Sequence, residues 1–522
     1  MHAMPTRADI PPINETIADE RQKWARHYGA HPYFTRRSAS VVRAYLERYS
    51  QEGDTVLDPF GGSGVTAIEA FLLGRHAIQN DLNPLANFLA RAIADTRLPS
   101  LRPLQAAFAR VAAACEDTLR SLETASDTAV ADTLAGLPLP ENIALPRTSD
   151  AARFHDLFTP RQLAALAVLK RQIDREPDEP ARLALLLAWS ATAAKLNRTF
   201  ISAQGRAASR GGASIFSIYR YKVAKAPVEL PLWETFRGRH LNILAAKREI
   251  LETRDHFNRN RHDGWRLDSD QHFIVMAEDA ATLAGPVRPE SVDYIFTDPP
   301  YGAFIAYLDL STLWNHWLGF PVGAASRANE IIVGGDLGLS EEHYRSRLAA
   351  SIRACLEVLK PDRWFSVVFQ HWDVRYFETI LRTATGCGAE LRAAVTQERE
   401  VIWSMHKKKN RESVLAGEMI LTFYKGAGEM RDPETREAQP CLLHELLDTI
   451  LRNDPADEMT SQSLFNRLVL AAWQRQSLSQ LSVPREAFSR ELQARGWAYD
   501  ERRHVWRKRT PAADTSMPLW EA

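Results

Sequence analysis

A strand, a glycine-rich turn and a helix follow one another near the start of the chain. An apolar segment ends at Asp58, residues 61–64 read Gly-Gly-Ser-Gly, and helical periodicity covers residues 67–73. Glycine permits the positive φ angles and the close backbone approach of such a turn. A second apolar strand pattern follows at residues 76–79. The arrangement predicts an α/β fold with a ligand at the carboxyl ends of its strands.

The turn differs from turns that bind phosphate groups. It lacks the Gly-x-Gly-x-x-Gly spacing of dinucleotide sites and the Lys-Ser/Thr pair of a P-loop. Asp58 precedes the turn, where a carboxylate repels a pyrophosphate but attracts an ammonium group. Asp81 follows the second strand, a position from which an acid typically binds ribose hydroxyls. The two acids indicate a nucleoside that carries an amino acid and no phosphate.

A third apolar strand pattern, residues 292–296, leads into Thr-Asp-Pro-Pro-Tyr-Gly at residues 297–302. Asp298 offers carboxylate oxygens, and the Pro300 carbonyl is a pure acceptor because proline has no N–H. Tyr301 adds a flat aromatic ring. Two acceptors beside a ring suit a planar heterocycle with an exocyclic amino group. An ordinary strand exit is the alternative reading, and the upstream glycine turn favours a binding site.

These motifs resemble those of the S-adenosylmethionine-dependent DNA amino-methyltransferases, which act on adenine N6 or cytosine N4. The resemblance covers residues 25–95 and 270–426 in the family's order, through His31–Tyr49, Asp58–Gly64, Asp81, Ala277–Ala280 and Asp298–Tyr301. It implies an α/β fold with a Rossmann-like doubly wound sheet, a closing antiparallel hairpin, a large mostly helical insertion and a small C-terminal α+β module.

The resemblance and the residue patterns together predict how the chain is divided. The expected parts are a cofactor-binding half (1–98), a helical and basic insertion as candidate target-recognition domain (99–268), a catalytic half (269–428) and a winged-helix-like module (440–510). The last part is predicted from helical periodicity over residues 442–474 and 483–492 and from a hairpin pattern at residues 496–499 and 504–506. A helical packing appendage is the alternative for the last part. In the catalytic half we expect a helix from Cys355 that ends in residues 359–362, a strand Phe365–Gln370, and hairpin segments Arg399–Met405, Lys407–Glu412 and Met419–Tyr424.

Site residues follow from the same resemblance. Asp58 is expected to bind the methionine amine, Asp81 the ribose and Asp279 the adenine of S-adenosylmethionine. The full set of expected cofactor residues is Tyr33, Asp58, Phe60, Gly61, Gly62, Gly64, Asp81, Asn83 and Asp279, and the catalytic set is Asp298, Pro299, Pro300 and Tyr301. Phe304 or Tyr307 forms the opposite wall of the base pocket, or else belongs to the core of the next helix.

The candidate DNA contacts lie in an unusual segment of the insertion. Residues 180–228 contain eight basic residues and no acidic one, with aromatic residues interleaved at Phe200, Phe216, Tyr219 and Tyr221. Basic side chains meet phosphates, and aromatic rings stack on bases. A solvated basic face is the alternative reading. The predicted DNA-binding residues are Arg198, Arg206, Arg210, Arg220, Lys222 and Lys408.

Composition excludes several other classes. The 522 residues carry 65 basic and 65 acidic side chains, so the overall charge gives no nucleic-acid signal. The four cysteines form no Cys-x-x-Cys pair, which argues against a zinc ribbon or a disulfide framework. The longest apolar run, Leu183–Trp189, is too short to span a bilayer. We therefore expect a cytoplasmic enzyme without a metal or a membrane segment.

The sequence thus predicts a methyltransferase that acts on N6 of a flipped-out adenine in double-stranded DNA. Cytosine-N4 methylation is an alternative, although Ser is commoner there in place of Asp298. RNA guanine-N2 methylation is another, because that class carries similar motifs. It usually has an upstream RNA-binding domain and a short span between the motifs. Cognate restriction or defence proteins are further candidate partners.

Overall fold

The computed structural model describes residues 7–18, 26–201, 212–224, 228–261, 265–398, 415, 417–426, 443–453 and 456–508. The strands in these segments are β1 (Thr55–Asp58), β2 (His76–Asn80), β3 (Phe200–Ile201), β4 (Gly212–Ala213), β5 (Phe273–Met276), β6 (Val292–Thr297), β7 (Leu359–Phe369), β8 (Ala389–Glu398), β9 (Gly417–Lys425), β10 (Glu458–Met459), β11 (Trp497–Asp500) and β12 (Val505–Lys508). The helices are α1 (Ala39–Tyr49), α2 (Val65–Leu72), α3 (Pro84–Ala94), α4 (Arg102–Thr124), α5 (Asp127–Ala135), α6 (Pro160–Asp174), α7 (Glu179–Ala193), α8 (Ser214–Ser217), α9 (Leu232–Arg259), α10 (Ser269–His272), α11 (Tyr307–Leu310), α12 (Thr312–Trp317), α13 (Ala324–Asn329), α14 (Glu341–Val358), α15 (Val374–Gly386), α16 (Leu443–Asn453), α17 (Ser461–Gln474) and α18 (Arg485–Ala494).

The central sheet has the strand order β5-β2-β1-β6-β7-β9-β8. Neighbours from β5 to β7 pair in parallel, whereas β9 is antiparallel to both β7 and β8. The chain moves outward from β1 to β2 and β5, then returns to β6 and proceeds in the opposite direction. β1 and β6 therefore flank the topological switch point, where open α/β sheets bind ligands. The predicted α/β class, doubly wound sheet and closing antiparallel hairpin are confirmed.

Two apolar cores cover the two faces of this sheet. Side chains alternate along a strand, and in β6 Tyr294 and Phe296 enter one core while Ile295 enters the other. All six residues of β6 are buried, as expected for a parallel strand covered on both faces. The first core includes α1, α2, α3 and the helical insertion, and the second includes α14, α15 and the C-terminal module.

The insertion between α3 and β5 is mostly helical, as predicted, and contains α4 to α9. It packs directly on the two short helices that follow the tetrad. The Trp314 indole N–H of α12 donates to the Ser190 carbonyl of α7 at 3.0 Å, and the Tyr221 hydroxyl donates to the Leu310 carbonyl at 2.6 Å. The insertion thus shares a core with the catalytic half. The proposed domain boundaries stay a prediction.

The C-terminal module combines three helices with a small sheet of order β10-β12-β11. It packs on the second core through Phe465 and Phe488, which contact Trp372 at ring-centroid distances of 5.0 and 5.5 Å. The predicted helices and hairpin are present, but the helical pattern expected over residues 442–474 is interrupted by β10. Its winged-helix-like character stays a prediction.

Two expected elements of the catalytic half are wrong in their bounds. The helix before β7 starts at Glu341 and ends at Val358, and β7 already begins at Leu359. The expected helix could not include Pro361 in its interior, because proline has no N–H to donate to the preceding turn. Pro361 lies in β7. The pairing of β6 with β7 is irregular after Val292, and the bulged residues Lys360 and Arg363 form ion pairs with Asp293.

The first hairpin strand also differs from the expectation. It is β8, which pairs with β9 from Ala389↔Lys425 to Glu398↔Gly417, and so precedes the expected segment Arg399–Met405. Leu391 and Ala394 of β8 pack against the second core, which fixes this strand at the edge of the sheet. The expected segments 399–405 and 407–412 lie outside the described residues.

Candidate functional site

One cleft lies at the switch point of the sheet and has a volume of about 920 Å³ including its open mouth. The turn after β1, the ends of β2 and β6, and the segment around α13 form its walls. Thr297 at the end of β6 donates its hydroxyl to Asp58 Oδ1 at 2.8 Å. This bond joins the cofactor motif to the tetrad, so two motifs that are 239 positions apart share one cleft.

The glycine turn has the tight geometry that its sequence predicts. Gly62 and Gly64 have φ angles of 51° and 90°. A Cβ at Gly61 would lie 2.1 Å from Gln79 Oε1, and one at Gly64 would lie 2.6 Å from the Cβ of Ala90. The three glycines therefore let the turn pack against β2 and α3 while it lines the cleft.

Asp58 and Asp81 stand at the ends of β1 and β2, and both carboxyl groups are held by local N–H groups. Asp58 Oδ1 accepts from Phe60 N at 3.1 Å. Asp81 accepts from Gly62 N and from Asn83 N, each at 2.8 Å. Burial nevertheless raises the pKa of Asp58 to about 7 and that of Asp81 to about 6. Such carboxyl groups are poised to ionise when a cation binds beside them.

Three other residues that were expected to bind the cofactor, Tyr33, Asn83 and Phe60, line the same cleft but differ in what else they contact. Tyr33 covers the turn, since a Cβ at Gly62 would lie 3.2 Å from its ring. Asn83 is largely structural, because it caps α3 and its side-chain amide donates to Ser311 Oγ at 2.7 Å. Phe60 is half-buried against the second core.

Asp279 lines the cleft from the short turn between β5 and β6. Its Oδ1 accepts from Ala281 N at 3.0 Å, and its Oδ2 forms an ion pair with Arg347 of α14. A carboxylate has about four lone-pair sites, so the Asp279 side chain keeps acceptor capacity towards a ligand. Arg347 was not expected from the sequence.

The catalytic set forms a connected network. The Tyr301 hydroxyl donates to Asp298 Oδ1 at 2.6 Å, and Arg37 Nε donates to Asp298 Oδ2 at 2.6 Å. Arg37 Nη2 also donates to the Tyr301 hydroxyl, and Arg37 Nη1 lies 2.7 Å from Glu418 Oε2. Sequence reasoning missed Arg37 and Glu418: Arg37 lies within the stretch His31–Tyr49 but was assigned no role, and Glu418 belongs to no motif. The Tyr301 ring contacts Phe369 edge-on at 5.2 Å, and its hydroxyl is committed to the network.

The Pro300 carbonyl, the second expected hydrogen-bond acceptor, is held in place by a hydrogen bond from another helix. The buried Tyr344 of α14 donates its hydroxyl to the Pro300 carbonyl oxygen at 2.6 Å. A carbonyl oxygen has two lone pairs, so one remains for a ligand. Pro299, which belongs to the tetrad, is buried. Gly302 has a left-handed backbone with a φ angle of 60° and leads the chain into the next loop.

Aromatic side chains surround the mouth of the cleft. Tyr307 lines it, stacks on Tyr33 at 6.3 Å and bonds to Thr35 Oγ1 at 3.1 Å. Phe304 is 47% exposed and contacts the His371 ring edge-on. Of the two alternatives left open by the sequence, a purely core role does not fit Phe304.

Glu330, which lies just after α13, was not expected from the sequence. Glu330 Oε1 accepts from Leu308 N at 3.0 Å, and the residue lines the cleft. Burial raises the pKa of its carboxyl to about 8, and the nearby charges of Asp309 and Asp81 add to the effect. No sequence pattern marks this residue, because the fold alone brings it to the cleft.

The predicted DNA residues lie in part outside the described segments. Arg206, Arg210 and Lys408 are not among the described residues. Arg220 and Lys222 are exposed, and Arg220 forms an ion pair with Asp150. Arg198 donates to the Asp156 carbonyl at 2.9 Å.

The expected base-stacking role is wrong for two of the interleaved aromatic residues. Phe200 and Tyr221 are buried, with exposures of 1% and 2%, because their rings complete the core of the insertion. Phe216 packs on Phe34 at 5.4 Å and is half-buried. The segment 212–224 thereby lies against α11 and α12, beside the tetrad.

Within the described segments, no group of three or more His, Cys, Asp or Glu side chains is arranged to hold a metal ion. No helix found there is long and apolar enough to cross a membrane.

Known proteins match the N-terminal part of the chain. Residues 13–86 match the model of a family described as DNA methylase. Over 74 residues the chain is 30% identical to the type II methyltransferase M.MjaII of Methanocaldococcus jannaschii. The match covers 14% of this chain and spans only 14% of the length of that relative. The family match contains β1, the glycine turn and β2. Together with the sheet order and the tetrad at the switch point, these matches support an amino-methyltransferase of the N6/N4 class.

Proposed function

We propose that the protein is a DNA methyltransferase that transfers a methyl group from S-adenosylmethionine to N6 of adenine. The observation that carries the proposal is the bond between Thr297 and Asp58 at 2.8 Å, which joins the two motifs at the switch point. A cofactor on the glycine turn and a base at the tetrad would thus meet in one cleft.

The residues of the cleft fit this cofactor. S-adenosylmethionine supplies an electrophilic methyl group on a positively charged sulfur, next to a nucleoside and an amino acid. Asp58, Asp81 and Asp279 provide carboxylates for its amine, ribose hydroxyls and adenine amine, respectively. A Cβ at Gly61 would collide with Gln79, so the turn depends on a bare backbone that a ligand can approach closely.

The tetrad suits an exocyclic amine as acceptor of the methyl group. The amine is a poor nucleophile because its lone pair is delocalised into the ring. Asp298 and the Pro300 carbonyl would each accept one amine hydrogen and favour a pyramidal nitrogen with a directed lone pair. Positioning and electrostatics then supply most of the rate enhancement, and no covalent bond to the protein is needed.

The target base must leave the duplex to reach this cleft. Tyr307 lines the cleft, and Phe304, three residues after Tyr301, is exposed, so these rings are suited to contact a flipped base. Asp298 favours adenine, because Ser is the commoner residue at this position in cytosine-N4 enzymes. Double-stranded DNA is the proposed partner, with Arg220 and Lys222 on the same side as α11 and α12.

The test combines product identification with an Asp298→Ala variant. DNA incubated with the protein and S-adenosylmethionine should yield N6-methyladenine in nucleoside mass spectrometry. Asp298→Ala should lose methyl transfer but retain cofactor binding, because the carboxylate acts at the transferring nitrogen. The matched control is Asp270→Ala, which removes an exposed aspartate far from the cleft and should stay active.

A product other than N6-methyladenine would show which of the alternative functions is correct. N4-methylcytosine would promote the cytosine-N4 function, and methylated guanine found only in RNA would replace the DNA substrate. Near-normal turnover by Asp298→Ala would contradict the role of the tetrad whatever the product.

A further inference from the structure

Arg37 is a buried arginine in the loop before α1, and its side chain is only 12% exposed. Its guanidinium lies between two carboxylates, with Nε 2.6 Å from Asp298 Oδ2 and Nη1 2.7 Å from Glu418 Oε2. Nη2 donates to the Tyr301 hydroxyl, which itself donates to Asp298 Oδ1. The planar guanidinium fork therefore fixes both the carboxylate and the phenol of the tetrad.

The network orients Asp298 without saturating it. Each carboxylate oxygen accepts one bond, from Tyr301 or from Arg37, and a carboxylate has about four lone-pair sites. The bonds from Arg37 and Tyr301 prevent the Asp298 carboxylate from rotating, so the direction of its remaining lone pairs is fixed. An amine hydrogen that approaches Asp298 would therefore meet an acceptor that already has a defined orientation.

The charges explain why an arginine is needed there. Asp298 and Glu418 would repel each other if no cation separated them, and a buried charge without a partner is costly. Burial acts to lower the pKa of Arg37, but Asp298 and Glu418 outweigh it and raise that pKa well above the ordinary value. The other titratable neighbours of Asp298 are Tyr301, Asp58 and Tyr307.

We propose that Arg37 is a positioning residue for methyl transfer: it holds the Asp298 carboxylate in a fixed orientation, and Glu418 of β9 balances the charge of Arg37. The inference rests on the proposed function, since it assigns Asp298 the role of acceptor for the target amine. The adjacent Arg36 has a different role, because it donates to Ser63 Oγ and to the backbone of the same loop.

The experiment compares Arg37→Gln, Arg37→Lys and the double variant Arg37→Gln with Glu418→Gln. Arg37→Gln should lower kcat by roughly 100-fold, the loss typical of a misplaced reacting group, with much smaller changes in KM for DNA and in cofactor affinity. Arg48→Gln, an exposed arginine of α1, is the matched control.

The other variants separate charge from geometry. Arg37→Lys keeps the cation but loses the fork, so its kcat should remain low although its charge is that of the wild type. The double variant removes the repelling carboxylate but also lacks the fork, so its kcat should remain low as well. Should Arg37→Gln not fold, the kcat of Arg37→Lys decides, and a wild-type value would overturn the proposal.

Thermal unfolding of the ligand-free variants gives a readout that does not depend on activity. In Arg37→Gln, the carboxylates of Asp298 and Glu418 lose the cation between them, so the variant should unfold at a lower temperature than the wild type. Glu418→Gln in the same background should reduce this difference.

The outcomes distinguish the two proposals. A wild-type protein that methylates no nucleic acid fails the proposed function. An active wild type with an equally active Arg37→Gln, or an Arg37→Gln that raises the KM for DNA as much as it lowers kcat, overturns the positioning role alone.

Discussion

Five carboxyl groups face one cleft, and three of them have a raised pKa because they are buried. Asp58 has a pKa of about 7, Asp81 of about 6 and Glu330 of about 8. Asp279 and Asp298 instead pair with Arg347 and Arg37. A cleft of this kind selects a cationic ligand over an anionic one, in agreement with the absence of a phosphate-binding fingerprint in the turn.

The raised pKa values make cofactor binding pH-dependent. A cation binds the ionised carboxyl groups more tightly, so protons must leave the free protein, and affinity for S-adenosylmethionine should increase between about pH 5.5 and 7.5. The predicted increase in affinity ends at about pH 7.5, because the amine of the cofactor itself begins to lose its positive charge near pH 7.7–8. Calorimetry in buffers of different ionisation enthalpy should show proton release.

Glu330→Gln should reduce that proton release, because its carboxyl is among the groups that are protonated in the empty cleft. Asp270→Asn, at an exposed position, should leave both affinity and proton release unchanged. An affinity that does not vary over this pH range would show that the buried carboxyl groups stay protonated in the complex.

At the level of single elements, the turn between β1 and α2 tolerates little. A methyl group at Gly61 would lie between 2.1 and 2.4 Å from three atoms of the Gln79 side chain, which is itself fully buried. Gly238 offers the opposite case, since it lies inside α9 and a Cβ there would meet nothing within 4 Å.

Gly61→Ala and Gly238→Ala should therefore have opposite effects on stability. Gly61→Ala should lower the unfolding free energy and weaken cofactor binding, because the turn must shift away from β2. Gly238→Ala should raise the unfolding free energy by about 0.5–1 kcal/mol, since alanine loses less backbone entropy in a helix. Chemical denaturation measures both, and a harmless Gly61→Ala would mean that Gln79 can move aside.

At the level of the whole molecule, attraction to DNA must come from the local arrangement of charge, because basic and acidic residues are equal in number. The Tyr221 hydroxyl bonds residues 212–224 to α11 and α12, and Arg220 and Lys222, on either side of Tyr221 in the chain, are exposed. The ion pair of Arg220 with Asp150 reduces its net effect but keeps its side chain extended at the surface.

The pair Arg220→Ala and Lys222→Ala should weaken DNA binding and reduce its salt dependence. Each lost phosphate contact should reduce the slope of log affinity against log salt by about one. Arg382→Ala, an exposed arginine of α15, is the control. If affinity and slope were both unchanged, the target-recognition surface would lie elsewhere, and the C-terminal module would be the next region to test.

The sequence by itself determined the parts of the site that depend on neighbouring residues. A strand that ends in an acid, a run of glycines and a helix must form a tight turn, and proline after a strand must end it. Asp58, Asp81 and the tetrad could thus be identified, with the order of their strands. The bounds of β7 and β8 were missed, because a proline-containing bulge and an edge strand depend on pairing with distant strands.

Only the tertiary structure decided which side chains support these motifs. Arg37 contacts Asp298 across 261 positions, and Tyr344 holds the Pro300 carbonyl across 44. Glu330 reaches the cleft because α13 folds over it. Such contacts leave no periodicity or spacing in the sequence. They arise where separate elements pack together, and a buried arginine is then retained because two carboxylates surround it.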